Sequence, residues 1–276
     1  APSRGLGDVY KRQWMCFSLS AQKIIDLSGK WSFSIDRQDN GEKEKWFSHT
    51  LNDFINLPGS MPEKLKGDEV TAKTQWTGSL YDSSYYYNPY MEKYRKEGNI
   101  KFPFFLTPDK HYVGAAWYQK EVNIPADWKG ERILLFLERP HIETTVWVNG
   151  QKTGMQNSLC VPHQYDITHY VRPGKCTITI RVDNRIKEIN VGPDSHSITD
   201  QTQGNWNGIV GRICLQTTPK TYFDDIQIYP EPEQKLARVK VVIKGTGTAK
   251  VKLSAESFNC LLYTSPSPRD GATSRM

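Results

Sequence analysis

Cysteine is scarce: five residues in 276, none with metal-ligand spacing. Cys16 and Cys260 lie in terminal stretches that read as foreign to the fold. Cys160, Cys176 and Cys214 remain, an odd number that gives no disulfide framework and reads as plain core or surface thiols. Apolar runs long enough to span a bilayer as a helix are also missing, so no membrane span is expected. Blocks of like charge are absent, and the formal charge of +6 is inflated by the ends. Residues 1–13 carry net +2 and residues 260–276 net +1, which leaves +3 between them. A balance that small argues against nucleic acid as a partner. Helical periodicity is almost absent as well.

What is present is aromatic and β-patterned. Eight tryptophans and fourteen tyrosines suit pleated sheets, and they also suit sugars, whose C–H faces complement flat rings. Alternation with period two recurs: Trp31, Phe33 and Ile35 against Ser32 and Ser34, then Trp117–Ile124, Glu143–Val148 and Thr177–Val182. Arg132–Leu137 is continuously apolar after its first residue, which predicts a strand buried on both faces. Asn149-Gly150 predicts a type I′ turn and Pro173-Gly174 another. Short strands joined by such turns predict an all-β antiparallel sandwich, either a jelly roll or an immunoglobulin-like form. A further strand is expected over Asp225–Tyr229, with a domain boundary at Pro230-Glu231-Pro232. Beyond it, Arg238–Lys244 and Lys250–Leu253 flank Gly245 to Gly247 like the opening hairpin of a second β-domain.

Residues 60–112 interrupt the pattern. They carry Trp76, six tyrosines between 81 and 94, and Phe102, Phe104 and Phe105. So many aromatics argue against disorder. Either the insertion packs on its own sandwich or it forms a wall beside a neighbouring domain; packing is the favoured expectation.

The ends differ in kind from the middle. Residues 3–13 resemble the translation of one strand of a transposase adapter used in sequencing libraries, and residues 260–270 that of the other strand. On this reading residues 1–13 and 260–276 are not native, and Trp14–Asn259 is part of a longer gene product. Trp14–Gln22 is apolar, then small, then polar, similar to the end of a signal peptide cleaved near Ala21. Residues 14–21 therefore imply export, with a periplasmic or secreted location.

The order of pieces from Trp117 to Arg212 resembles the sugar-binding domain of family 2 glycoside hydrolases, such as β-galactosidases and β-glucuronidases. The pieces are Ala116–Val122, then Glu138–Gly150 ending in the Asn-Gly hairpin, then Gly154 and Pro162–Thr168. Pro173–Lys175 and Ile178–Asn184 follow, and Asp200-Gln201, Asn205–Ile209 and Arg212 close the run. Leu27–Trp31 and Leu57–Gly59 match the family's opening. No single piece is decisive, whereas the ordered set over roughly 200 residues is specific.

The resemblance implies a galactose-binding-like jelly roll over residues 22–230 and a truncated immunoglobulin-like sandwich over 231–259. A catalytic barrel would follow, carrying both catalytic glutamates. Retaining glycosidases need two carboxylates about 5 Å apart. Glu138 and Glu143 lie on sandwich strands and read as surface charges, so no catalytic residue, metal or cofactor is assigned and the chain alone is expected to be inactive. The family's sandwich lends a loop to the barrel's sugar pocket, and the matching stretch is Asp200–Asn207. An acidic residue that some relatives place six positions before Gly208 is Thr202 here, which speaks against β-galactosidase specificity. Asn205 matches the asparagine of glucuronidase-like relatives. Asp200, Asn205, Trp206, Asn207 and His196 are the candidate contacts to a terminal β-linked sugar. Each has a plain alternative: loop capping for Asp200 and Asn205, edge filling for Trp206, an exposed loop histidine for His196. Two other functions stay open, a stand-alone lectin-like carbohydrate-binding module and an adhesion sandwich without a ligand.

Overall fold

The computed structural model describes residues 23–78, 83–159, 161–187, 195–196, 198–234, 236–245 and 251–253. The leader-like stretch 14–21, both adapter-like ends, Cys160 and the start of the Lys250–Leu253 arm lie outside them. The chain divides into two compact units, Ala1–Pro219 and Lys220–Met276.

The first unit is all-β apart from short helical turns. Its strands are β1 (Ile24–Asp26), β2 (Gly29–Asp36), β3 (Asp53–Leu57), β4 (Gly59–Ser60), β5 (Asp68–Glu69), β6 (Lys110–His111) and β7 (Ala115–Ile124). There follow β8 (Arg132–Pro140), β9 (Glu143–Val148), β10 (Gln151–Asn157), β11 (His163–Asp166), β12 (Gly174–Asp183) and β13 (Gly208–Thr218). One sheet runs β1-β13-β8-β11, with β4 also paired to β13. The other runs β10-β9-β12-β7-β2-β3, and every pairing in both sheets is antiparallel. Each strand sends alternate side chains inward. Trp31, Phe33, Tyr118, Val146 and Ile178 from one sheet meet Leu135, Leu137, Ile213 and Leu215 from the other in a single core. The two sheets thus form a β-sandwich.

Alternation predicted one solvated face for β9, yet all six of its residues are buried. Residues 40–51 account for part of this. Asp36 accepts hydrogen bonds from the backbone N–H of Asn40 and Gly41 and from Trp117 Nε1, each at 2.9 Å. Trp46 then packs on Trp117, and Phe47 stacks on Trp147 at 5.2 Å and 6°. A Cβ on Gly41 would lie 2.5 Å from Trp117 Nε1, so only glycine lets this segment close on the sheet. At the hairpin, Asn149 (φ 50°) and Gly150 (φ 77°) both have the positive φ of the expected turn.

Beside those rings lies a buried ion network that alternation did not foretell. Arg181 contacts Asp39, Glu143 and Asp183; Arg185 contacts Asp39 and Asp183; Lys187 contacts Glu143 and Asp183. Burial acts to raise the Asp183 pKa, but hydrogen bonds from Arg185 and Lys187 and the Arg181 charge outweigh it and hold the carboxylate well below its usual range. Glu143, read from sequence as a surface charge, is 8% exposed and belongs to this network. Its partners Arg181 and Lys187 come from β12 and the residues just after it. Glu138 is half-buried and accepts from the Arg212 backbone N–H.

The insertion does pack, partly into the sandwich and partly on itself. Met61 and Tyr112 join the sandwich core. Trp76, Tyr85, Phe102 and Phe104 form a separate aromatic cluster with ring centroids 4.6–5.4 Å apart in the contacting pairs, while Tyr87, Tyr90 and Phe105 stay exposed.

The second unit contributes β14 (Tyr222–Glu231) and β15 (Leu236–Lys244), paired antiparallel. The strand expected at Asp225–Tyr229 is therefore real and pairs with the segment after the prolines. Pro230 and Glu231 end β14, and Pro232 opens the 3₁₀ turn Pro232–Gln234 that precedes β15. Cys176 and Cys214 are buried free thiols, and burial pushes the Cys176 thiol up to about 11.

Removing one member of a buried ion network leaves its partners uncompensated. Asp183→Ala is expected to lower unfolding free energy by about 3–5 kcal/mol, against about 0–1 kcal/mol for Lys96→Ala, whose pair with Glu92 is exposed. Urea denaturation of both variants measures the contrast.

Candidate functional site

The segment from Ser195 to Asn207 joins β12 to β13 and lies at the end of the sandwich where β9 begins. Pro193, Asp194 and Ser197 of the upstream stretch lie outside the described residues. Two short turns fold the segment. The N–H groups of Ile198 and Thr199 donate to Ser195 O, and those of Thr202 and Gln203 donate to Thr199 O. Gly208, at φ 143°, ends it against β4. A Cβ there would lie 2.5 Å from Gly59 O, so the close approach of β4 requires glycine.

Asp200 is the clamp of the segment. One carboxylate oxygen accepts from the Thr77 N–H at 2.6 Å and the other from the Asn205 N–H at 2.5 Å, while its own N–H donates to Thr77 O at 3.0 Å. The insertion is bound to the loop a second time by Phe105 N–H donating to Gln201 O. Asn205 uses both amide hydrogens inside the protein, on Thr77 Oγ1 and Asn184 O, each at 3.0 Å. Its Oδ1 lies 3.1 Å from His141 Nε2. With the Asn205 amide so oriented, the His141 Nε2–H donates to it. Burial lowers the His141 pKa to about 4, partly offset by this hydrogen bond, so the ring is neutral at pH 7.

Asn207 is equally committed. Its amide donates to Gly114 O at 2.9 Å and Val182 O at 3.0 Å and accepts from the Tyr118 hydroxyl at 2.8 Å. Burial pushes that phenol well above its usual value, so it stays a donor. Asn184 closes the frame, accepting from the Gly114 N–H and donating to Tyr112 O, each at 2.8 Å.

These positions sort the five sequence candidates. Asp200, Asn205 and Asn207 are 3%, 4% and 1% exposed, and their polar atoms are taken up by the loop and its neighbours. They shape the site from beneath. Trp206 is half-buried and stacks on His141 with ring centroids 4.6 Å apart and planes 26° from parallel. His196 is exposed; its Nδ1 lies 3.4 Å from Gln203 Nε2 and its carbonyl accepts from Thr202 Oγ1 at 2.7 Å. A half-buried flat ring stacked on a neutral imidazole, in the same segment as an exposed imidazole, offers apolar surface and a hydrogen-bonding group to a polyhydroxy ligand. Among the described residues no three His, Cys, Asp or Glu side chains are grouped to hold a metal ion.

Sequence reasoning missed His141, Asn184 and Thr77. The signal for Asn184 was legible, an Asp-Asn pair ending a strand. His141 and Thr77 carry none, because each reaches the loop from more than sixty residues away.

The fold is a two-sheet antiparallel sandwich, and the connection that leads into β13 carries Trp206 stacked on His141. The family described as "Glycosyl hydrolases family 2, sugar binding domain" matches residues 24–219, and the chain belongs to that family. Among curated relatives, the human β-glucuronidase is 24% identical over 263 residues, covering 84% of this chain and 35% of the relative. That of Paenibacillus borealis is 24% identical over 253 residues, covering 85% and 36%. Of solved structures, a β-glucuronidase from an uncultured Clostridium species superposes with a TM-score of 0.54 at 20% identity, covering 82% of this chain and 34% of that one. The Ruminococcus gnavus β-glucuronidase in complex with D-glucuronic acid gives 0.54 at 18% identity, covering 82% and 34%. These superpositions support the fold. The chain spans about a third of the length of the relatives it matches.

A histidine kept neutral by folding makes the site acid-sensitive. The folded pKa of about 4 lies below the unfolded value near 6.5, so the unfolded state binds the extra proton first as pH falls. The stability tied to His141 is complete above about pH 6.5 and drains between 6.5 and 4, by about 2–3 kcal/mol at pH 4.5. Comparing urea unfolding at pH 7 and 4.5 should show a drop smaller by that amount in His141→Gln, which keeps a donor toward Asn205.

Proposed function

We propose that this chain is the non-catalytic, sugar-binding part of a retaining exo-β-glycosidase, and that the sugar is a terminal β-linked glucuronide. The observation that carries the reading is the loop itself: Asp200, Asn205 and His141 spend their polar groups holding Trp206 in place. A loop preorganised at that cost in buried hydrogen bonds suits a ligand contact, since ordering it at the moment of binding would weaken affinity. The curated relatives, which cover most of this chain, bear the name β-glucuronidase, which supports the glucuronide over the galactoside.

Bond cleavage belongs to a barrel downstream in the full-length protein. Retaining hydrolysis needs an acid/base and a nucleophilic carboxylate about 5 Å apart. Glu143 is committed to Arg181 and Lys187, and Glu138 to the β13 backbone, so neither serves as a free nucleophile. In the assembled enzyme Trp206 and His196 would border the sugar, and Asp200, Asn205 and Asn207 would act as positioning residues. The apolar leader-like stretch at residues 14–21 supports export to the periplasm or outside the cell.

The test is to assay the 276-residue chain, and the protein encoded by its extended gene, on aryl β-D-glucuronide and aryl β-D-galactoside. The chain alone should be silent on both, and the extended protein should prefer the glucuronide. Trp206→Ala in the extended protein should lower kcat/KM by about 10–100-fold, a loss of roughly 1.4–2.7 kcal/mol of transition-state binding. Turnover by the chain alone, or a downstream segment without a glutamate pair, would overturn the assignment. Tight glycan binding by the chain alone through residues 195–207 would favour the lectin-like module instead.

A further inference from the structure

At the opposite end of β9 from His141 the sandwich has a second concavity. The strand spans six residues, about 20 Å at the rise of a β-strand. The groove, about 360 Å³, opens between residues 47–50 and the Asn149-Gly150 turn. That is within the lower range of small-molecule sites, about 300–1,000 Å³.

Its chemistry is uniform: no Asp, Glu, Lys or Arg lines it. The residues that do are Ser48, Thr50 and Thr177, which carry hydroxyls, with His49, Gln119, Phe47 and the Asn149-Gly150 turn. Among the described residues the three hydroxyls and the His49 ring enter no side-chain hydrogen bond, so their donors and acceptors stand open to a ligand. Gln119 Nε2 is used on His49 O (2.9 Å) and Thr179 Oγ1 (3.1 Å), which fixes the amide and leaves Oε1 as an oriented acceptor.

The walls are held from behind. Phe47 stacks on Trp147, which stacks on Trp117 at 4.9 Å. Asn149 Oδ1 accepts from the Thr177 N–H at 3.0 Å and its amide donates to Tyr170 O at 3.1 Å, locking the turn to β12. Little ordering cost remains to be met on binding.

We infer that this groove is a second saccharide site, taking a neutral pyranose through the Phe47 ring and the hydroxyls of Ser48, Thr50 and Thr177. Hydroxyls and amides can each donate and accept, as sugar hydroxyls do. The lack of any cation in the lining disfavours a uronate, so this site would hold a different residue from the one proposed for the Trp206 loop. It would tether a neutral part of a glycan about one strand length from that loop.

The ¹⁵N-labelled 276-residue chain should be titrated with methyl β-D-glucopyranoside, and in parallel with sodium D-glucuronate and with glycerol. The expected result is saturable shifts of the amides of residues 47–50, 150 and 177 with the glucoside, at a Kd of about 1–10 mM. Ser48→Ala/Thr177→Val, which removes two hydroxyls with little change of shape, should weaken binding by at least about tenfold. Phe47→Ala serves as the second variant should that pair fold poorly. No saturable shift would overturn the site. So would shifts confined to residues 195–207, an unchanged Kd in the variants, or glycerol or glucuronate binding as tightly as the glucoside.

Discussion

A polar loop that folds back into the end of a sandwich must find partners for its backbone groups, because a buried N–H without an acceptor costs about as much as a lost hydrogen bond. Asp200 meets that demand. Its two carboxylate oxygens take the N–H groups of Thr77 and Asn205, which belong to segments 123 and 5 residues away. Everything else at this end follows from that clamp. The insertion is tied to the loop through Thr77, Asn205 is set to reach His141, and His141 becomes the shelf on which Trp206 lies. Charge-assisted bonds of this kind are shorter and stronger than neutral ones, which suits a joint that must hold three segments.

The opposite face of the larger sheet solves a different problem with different means. Residues 40–51 cover part of the sheet with stacked rings, and beside them a network of paired charges joins β9, β12 and Asp39. The rings of Phe47, Trp147 and Trp117 stack in sequence. The charges of Arg181, Asp183, Glu143, Arg185, Lys187 and Asp39 balance three against three. A buried network of this sort breaks even against apolar packing in energy at best, and its use is to fix one arrangement. Here it fixes the end of β12, from which the chain leaves toward the candidate loop.

Most of the fold was legible from short-range pattern. The alternation of Trp31, Phe33 and Ile35, the continuous apolar run to Leu137, and the Asn149-Gly150 turn each named an element that the structure contains. Distant neighbours decided what short-range pattern did not. Glu143 looked like a surface charge because Arg181 and Lys187 are 38 and 44 residues away. The strand read at Asp225–Tyr229 is present, and its partner lies beyond two prolines. Asn205 carried two readings, a sugar contact or a loop cap, and nothing local announces its partners His141 and Thr77.

The amino-acid sequence by itself determined the strands, their turns and the family, since period-two alternation and turn residues act over a few positions and the backbone obeys them wherever the rest of the chain goes. The tertiary structure alone decided which polar side chains are spent and which are open. That choice depends on contacts across the sandwich: Asp200, Asn205 and Asn207 were turned inward by partners far along the chain, leaving Trp206 and His196 toward solvent. The burial of a polar side chain is a property of the assembled neighbourhood, which its local stretch of sequence does not carry.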